Sequence, residues 1–136
     1  MDNTRLIDAI LYNRRAWRRQ VEAMEPRAST SLVTLPVSHT PGDPVGKVVV
    51  DRVTVLCVLD AVDRVLGGLP REYQRVAALK WEDAATHKRI AKLLHYSERT
   101  IDRRVSFVRD CVKAGLAALG DEKLSAFCRH FVGKSA

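Results

Sequence analysis

Glu98, Arg99, Asp102 and Arg103 are spaced so that, on a helix, they form one outward row of long polar side chains. Such a row on a short rigid helix suits hydrogen bonding to base edges in the major groove of duplex DNA. An arginine at 99 or 103 can hold guanine O6 and N7 in a two-pronged fork, worth roughly 1–3 kcal/mol of discrimination, or can grip the backbone instead. The carboxylates at 98 and 102 can accept from the cytosine N4 amino group, or pair with arginines of their own helix. Lys88, Arg89, Lys92 and Arg104 are suited to phosphate oxygens, with Ser97 beside them; such contacts fix register without reading bases. Residues 86–104 hold six Lys or Arg against two acidic residues, so the segment as a whole attracts a polyanion.

Two helices joined by a tight turn must position these groups. Ile90, Ala91 and Leu94 share one face of a first helix running from His87 to Leu94, with Thr86 as its cap. Ser97 opens a second helix that buries Ile101 and Val105, and its hydroxyl satisfies free amides at that helix start. His95 stands where such turns commonly use glycine; histidine tolerates the left-handed conformation at modest cost, so it reads as a turn residue and not as a ligand or catalyst. The second helix can continue through Phe107, Val108, Cys111, Val112 and Leu116 to Leu119, where Gly120-Asp121 breaks it. The spacing is that of a helix-turn-helix.

The flanking chain divides into further segments. Residues 1–25 carry Leu6, Ile10, Trp17, Val21 and Met24 at helical intervals, widened by Ile7 and Leu11, with Arg14, Arg15, Arg18 and Arg19 around the tryptophan. Those arginines either contact phosphate or form a solvated face. That helix could cross the motif or pair with its own copy. Residues 26–43, rich in Ser, Thr and Pro, read as a semi-extended linker. Asp43-Pro44 then resembles a helix start, with Asp as N-cap and Pro in the first turn. From Pro44 to Leu66 valine-rich sequence lets strand compete with helix. The spacing of Val55, Val58, Leu59, Val62, Val65 and Leu66 favours helix, ended by Gly67-Gly68. Asp60, Asp63 and Arg64 fall on its other side as solvated charge. A helix from Leu69-Pro70 to about Trp81 would bury Tyr73, Val76, Ala77 and Leu79. Residues 44–120 thus form the helix-turn-helix domain. In 121–136, Leu124, Phe127, Cys128, Phe131 and Val132 form an amphipathic stripe that closes the core or mediates self-association. The expected fold class is all-α.

Composition narrows the chemistry. The chain has 136 residues, 46% of them hydrophobic, and a formal charge of +7, which points to a polyanionic partner, nucleic acid ahead of membrane. Three widely spaced cysteines, Cys57, Cys111 and Cys128, argue against a disulfide framework and for a reducing cytoplasm. Cys128 and His130 lack a second ligand pair, so no zinc site is expected. There is no signal peptide, no apolar run of membrane-spanning length, no glycine-rich phosphate loop and no nucleophile motif. The expectation is a non-enzyme with no cofactor and no membrane partner.

The run Leu69-Pro70-Arg71-Glu72-Tyr73-Gln74-Arg75-Val76, followed by Ile90-Ala91, Leu94, Ser97, Thr100-Ile101 and Arg104-Val105, resembles region 4 of bacterial sigma-70-type factors. Arg104 followed by an apolar residue matches the sigma-type variant rather than the repressor type. The layout resembles phage late-transcription activators of the RinA/ArpU type, well over residues 43–119 and in outline over the first 30. Arg89 departs from that pattern, standing where a Glu often precedes the Ile-Ala pair. The resemblance implies an activator of phage or prophage late genes, working in the cytoplasm of a bacterial host at the nucleoid, with host RNA polymerase as a further partner.

The sequence therefore predicts a sequence-specific double-stranded DNA-binding transcriptional regulator. The alternatives are a small terminase subunit recognising a packaging site, which would assemble into a ring, and a protein-interaction module whose basic helix binds an acidic partner.

Overall fold

A computed structural model describes residues 4–23, 32–38 and 44–120. Its elements are α1 (Thr4–Glu22), β1 (Leu32–Ser38), β2 (Pro44–Asp51), α2 (Arg52–Gly67), α3 (Arg71–Ala77) widening into a π-helical turn (Ala78–Glu82), α4 (His87–Leu94) and α5 (Glu98–Ala117). The protein is mostly helical, as expected, with one small two-stranded sheet.

The sheet corrects two expectations. Residues 32–38, placed in a linker, form a strand paired antiparallel with β2 in the register Val33 to Val50 and Leu35 to Val48. Along β1, Val33, Leu35 and Val37 are buried while Leu32, Thr34 and Pro36 are exposed, the alternation of a half-buried strand. Pro44 begins β2 and opens no helix, so Asp43-Pro44 is not a helix start. The cap is Asp51, whose carboxylate accepts from the Thr54 amide at 2.7 Å and from the Thr54 hydroxyl at 3.0 Å. Helix therefore begins at Arg52, because cross-strand pairing satisfies the backbone of the preceding valine run.

The sheet is fastened by α1. Trp17, 1% exposed, donates its indole N–H to the Pro36 carbonyl at 2.5 Å, and Gln20 donates to the Thr34 carbonyl at 2.6 Å. These carbonyls thus face α1 rather than β2. The N–H that proline lacks lies on that same side, so Pro36 removes no ladder bond. Leu6, Ile7, Ile10, Leu11 and Val21 carry the rest of the buried stripe of α1 into a core shared with Val55, Val58, Leu59 and Val62 of α2 and with Ile101, Val105, Val108 and Val112 of α5. The first helix is thus part of the main body and packs on α2, α5, β1 and the π-turn.

Two close approaches set the helix arrangement. Arg109 of α5 makes a two-pronged contact with the Asp8 carboxylate of α1, at 2.9 and 3.0 Å, and the Trp81 indole N–H reaches the same carboxylate at 3.3 Å. Where α5 crosses α2, a Cβ at Gly115 would overlap Cγ2 of Val65, so the crossing depends on glycine having none. As expected, α2 ends at Gly67-Gly68; α3 begins after Pro70, and the π-turn seats Trp81 in the core. The amphipathic stripe expected in 121–136 lies outside the described residues.

Candidate nucleic-acid interface

The two helices that carry the row of polar side chains are delimited by local hydrogen bonds. Thr86 caps α4, its hydroxyl oxygen accepting from the Arg89 amide at 3.1 Å. The helix stops at His95, which adopts the left-handed conformation (φ 62°, ψ 43°), and the Tyr96 amide folds back to the Ala91 carbonyl at 3.0 Å. Ser97 then caps α5, accepting from the Thr100 amide at 3.2 Å. Both capping hydroxyls replace orphaned intrahelical partners, a gain of about 1 kcal/mol each. Ile90, Ile101 and Val105 are fully buried and Ala91 nearly so, which clamps α4 against α5.

On this scaffold Glu98, Arg99, Asp102 and Arg103 are all exposed on the first turns of α5, and Lys88, Arg89 and Lys92 are exposed on α4. None of these five cations makes an ion pair among the described residues. Ser97 lies at the same end of α5, but its hydroxyl is engaged in the cap. Among the described residues Asp102 pairs with none of the arginines of its own helix: its carboxylate accepts from Nδ1 of His87, across the turn on α4. Arg104 is set apart from the others. It is half-buried, its guanidinium lying 4.2 Å from the Tyr96 ring and 5.6 Å from the Tyr73 ring, with Tyr73 in turn packed at a tilt of 42° against Phe107. A guanidinium held over two aromatic faces gains cation–π attraction and loses the freedom of a surface arginine.

Arg14 and Arg18 of α1 have a different use from either expected one, while Arg15 and Arg19 are exposed as a solvated face would be. Arg14 bridges Asp63 of α2 at 2.6 Å and Glu82 of the π-turn at 2.9 Å; Arg18 holds Asp60 and Asp63 at 2.9 and 2.7 Å; Arg15 also reaches Glu82, at 3.1 Å. Asp63, half-buried, is thus an acceptor of an interhelical clamp rather than solvated charge, and Asp60 joins the clamp from its exposed side. The hydrogen bond to Asp60 is the main cause raising the pKa of Arg18 above its ordinary value. A cavity of about 280 Å³ between α1, α2 and α3 is walled by this clamp, with Arg14, Asp63 and Glu82 already paired and Gln74 donating to the Gly67 and Leu69 carbonyls.

Charge is consequently sorted across the fold. Arg14 and Arg18 of α1, nearest the core, are neutralised internally, whereas Lys88, Arg89, Lys92, Arg99 and Arg103, like Arg5 and Arg19 of α1, are exposed with no ion pair among the described residues. Behind them lies Lys80, whose pKa is lowered by burial first and then by the Arg109 guanidinium, against smaller opposing pulls from Asp8 and Asp102. Burial, aided by Asp8, raises the Tyr12 phenol. Sequence reasoning missed His87, Tyr73 and Tyr96 as shapers of this surface. His87 and Asp102 are fifteen residues apart, so no local spacing could join them.

Among the described residues no group of three or more His, Cys, Asp or Glu could hold a metal ion, and no helix is long and apolar enough to cross a membrane. Cys57 and Cys111 are half-buried. Comparison with protein-family models, curated proteins and solved structures finds no match to this chain.

Proposed function

We propose that this protein is a sequence-specific double-stranded DNA-binding transcriptional regulator, with α4 and α5 as a sigma-region-4-like helix-turn-helix. The observation that carries the reading is the sorting of charge. Arg99, Arg103, Lys88, Arg89 and Lys92 are exposed without ion-pair partners among the described residues, on α4 and the first turns of α5, which a tight turn joins, while Arg14 and Arg18 of α1 are paired inside the fold. Free cations on such helices are the footprint expected of a duplex-binding surface. In this reading Glu98, Arg99, Asp102 and Arg103 face the bases, and Lys88, Arg89 and Lys92 hold phosphates. Arg104, buttressed by Tyr96 and Tyr73, supports the helix pair more than it contacts the backbone.

By resemblance to RinA/ArpU-type activators, the regulated genes are phage or prophage late genes, the setting is the cytoplasm of a bacterial host at its nucleoid, and RNA polymerase is the further partner. The test is selection from a pool of random duplexes at physiological salt, followed by sequencing. One enriched motif, dependent on Arg103, supports the reading. Uniform retention of all duplexes removes base reading, and no retention removes DNA binding altogether.

A further inference from the structure

A cleft of about 170 Å³ opens beside the turn between α4 and α5, lined by Glu72, Arg75, Leu93, Leu94, His95, Tyr96 and Arg104. Two features make it unlike ordinary surface. The first is apolar exposure. Leu93 and Tyr96 are 51% and 44% exposed, and Phe107, 45% exposed, packs at a tilt against Tyr73, over which Arg104 also lies. Three of the five exposed large hydrophobic side chains among the described residues thus gather around one arginine. Scattered exposed leucines are ordinary, but a cluster rimmed by charge marks an interaction site.

The second feature is unused cationic capacity. Arg75 is exposed and Arg104 half-buried, and neither has an ion-pair partner among the described residues. Nη1 of Arg104 is shielded from solvent and has no hydrogen-bond partner among the described residues. A buried donor without an acceptor costs free energy, so Arg104 is held with part of its hydrogen-bonding capacity unmet. Glu72 is the single carboxylate lining the cleft, against two arginines.

Arg104 follows Arg103 by one residue, about 100° further round a helix of 3.6 residues per turn, so the cleft lies to one side of the row Glu98–Arg103. A phosphate would use the cations but gain nothing from Leu93 or the tyrosine edge. An apolar side chain next to a carboxylate would use both.

We infer that this cleft docks an acidic amphipathic segment of a second protein, seating a Leu- or Phe-type side chain against Leu93 and Tyr96 and a carboxylate against Arg75 and Arg104. The inference does not depend on the DNA reading, since none of these contacts involves the exposed row of α5.

The test selects random dodecapeptides displayed on phage against the full chain, then measures binding of the enriched peptide, made synthetically and labelled with a fluorophore. The expected peptides place Asp or Glu beside Leu, Phe or Trp. Arg75→Glu should weaken binding by at least about tenfold, as loss of a charge-assisted contact does. Glu72→Gln should tighten it, because the competing carboxylate is gone. Both positions are exposed, so neither change threatens folding. Arg104→Lys, which keeps the charge but loses the flat stacked fork, should weaken binding as well. Backbone amide shifts should map to residues 93–96 and 104. Basic or featureless peptides, or affinity indifferent to Arg75→Glu and Glu72→Gln, would overturn the inference. Duplex DNA that shifts these amides and displaces the peptide would overturn it too, by assigning the cleft to nucleic acid.

Discussion

His87 Nδ1 lies 2.5 Å from Asp102 Oδ1, joining the first residue of α4 to the middle of the exposed row on α5. The other ring nitrogen, Nε2, is shielded and has no hydrogen-bond partner among the described residues. The contact aims the Asp102 carboxylate at a fixed position and ties the two helices together by a route separate from their apolar seam. His87→Ala should cost little stability, about 0.5–1 kcal/mol, because Asp102 is largely exposed. Its larger effect should be on selectivity: duplex selection should show relaxed preference at one base position with the rest of the motif intact. A motif unchanged by His87→Ala would assign the contact to structure alone.

Arg103 and Lys92 should separate reading from holding. Arg103→Ala is expected to lose roughly 1–3 kcal/mol of discrimination at one base pair. Lys92→Ala should weaken all duplexes alike and reduce the slope of log affinity against log salt by about one. Titrations of matched and mismatched duplexes across a salt series measure both. Equal weakening on every sequence by both variants would assign Arg103 to the backbone.

The Arg14–Asp63 contact tests the clamp. Both side chains are partly shielded, 19% and 35% exposed, so the pair belongs between surface bridges worth under about 1 kcal/mol and buried ones costing several to break. A double-mutant cycle with Arg14→Met, which keeps the apolar stem, and Asp63→Asn should give a coupling of about 1–2 kcal/mol in urea unfolding. DNA affinity should not change beyond the effect of the altered net charge, because neither residue belongs to the exposed row.

Gly115→Ala sets two effects against each other. Alanine favours helix by about 1 kcal/mol over glycine, but its methyl would overlap Val65 Cγ2, and forced repacking typically costs about 1–3 kcal/mol. Valine is stiff about χ1 and cannot easily turn aside. The expected net result is destabilisation of about 1 kcal/mol, relieved when Val65→Ala is added. A stabilised single variant would show that the α2–α5 crossing has slack.

Burial of the Lys80 ammonium gives a signed pH dependence. Its folded pKa is lowered, chiefly by burial and then by Arg109, so below the ordinary value of 10.5 the unfolded chain binds the proton more tightly. Stability from this group therefore rises with pH through the window just below 10.5 and is lost as pH falls through the folded pKa. Lys80→Met should stabilise the protein at neutral pH, and the advantage should shrink as pH approaches 10.5. Tyr12, raised by burial and Asp8, acts oppositely above pH 10.0, so the comparison between variant and parent should be read below that value.

The segments legible from sequence are those whose structure is decided within a few residues. Thr86 and Ser97 cap their helices through amides three residues on, His95 takes the left-handed turn, and Gly67-Gly68 ends α2; each is a local bargain between side chain and backbone. The exposed row from Glu98 to Arg103 follows in the same way from helical period and the buried Ile101 and Val105. What tertiary structure decided are the pairings between distant segments. The valines of 48–50 could extend the helical pattern that follows them, and only the facing strand 32–38, itself showing alternation at Val33, Leu35 and Val37, makes them β2. Arg14 and Arg18 look like phosphate contacts until Asp60, Asp63 and Glu82 arrive from 42 to 68 residues away to neutralise them. Arg104 is a surface cation in sequence, and becomes a packed one because Tyr73 approaches from α3. A charge is identified by its type, but whether it is free to meet a partner depends on which opposite charge or ring the fold brings within a few ångströms, and no period along the chain encodes that.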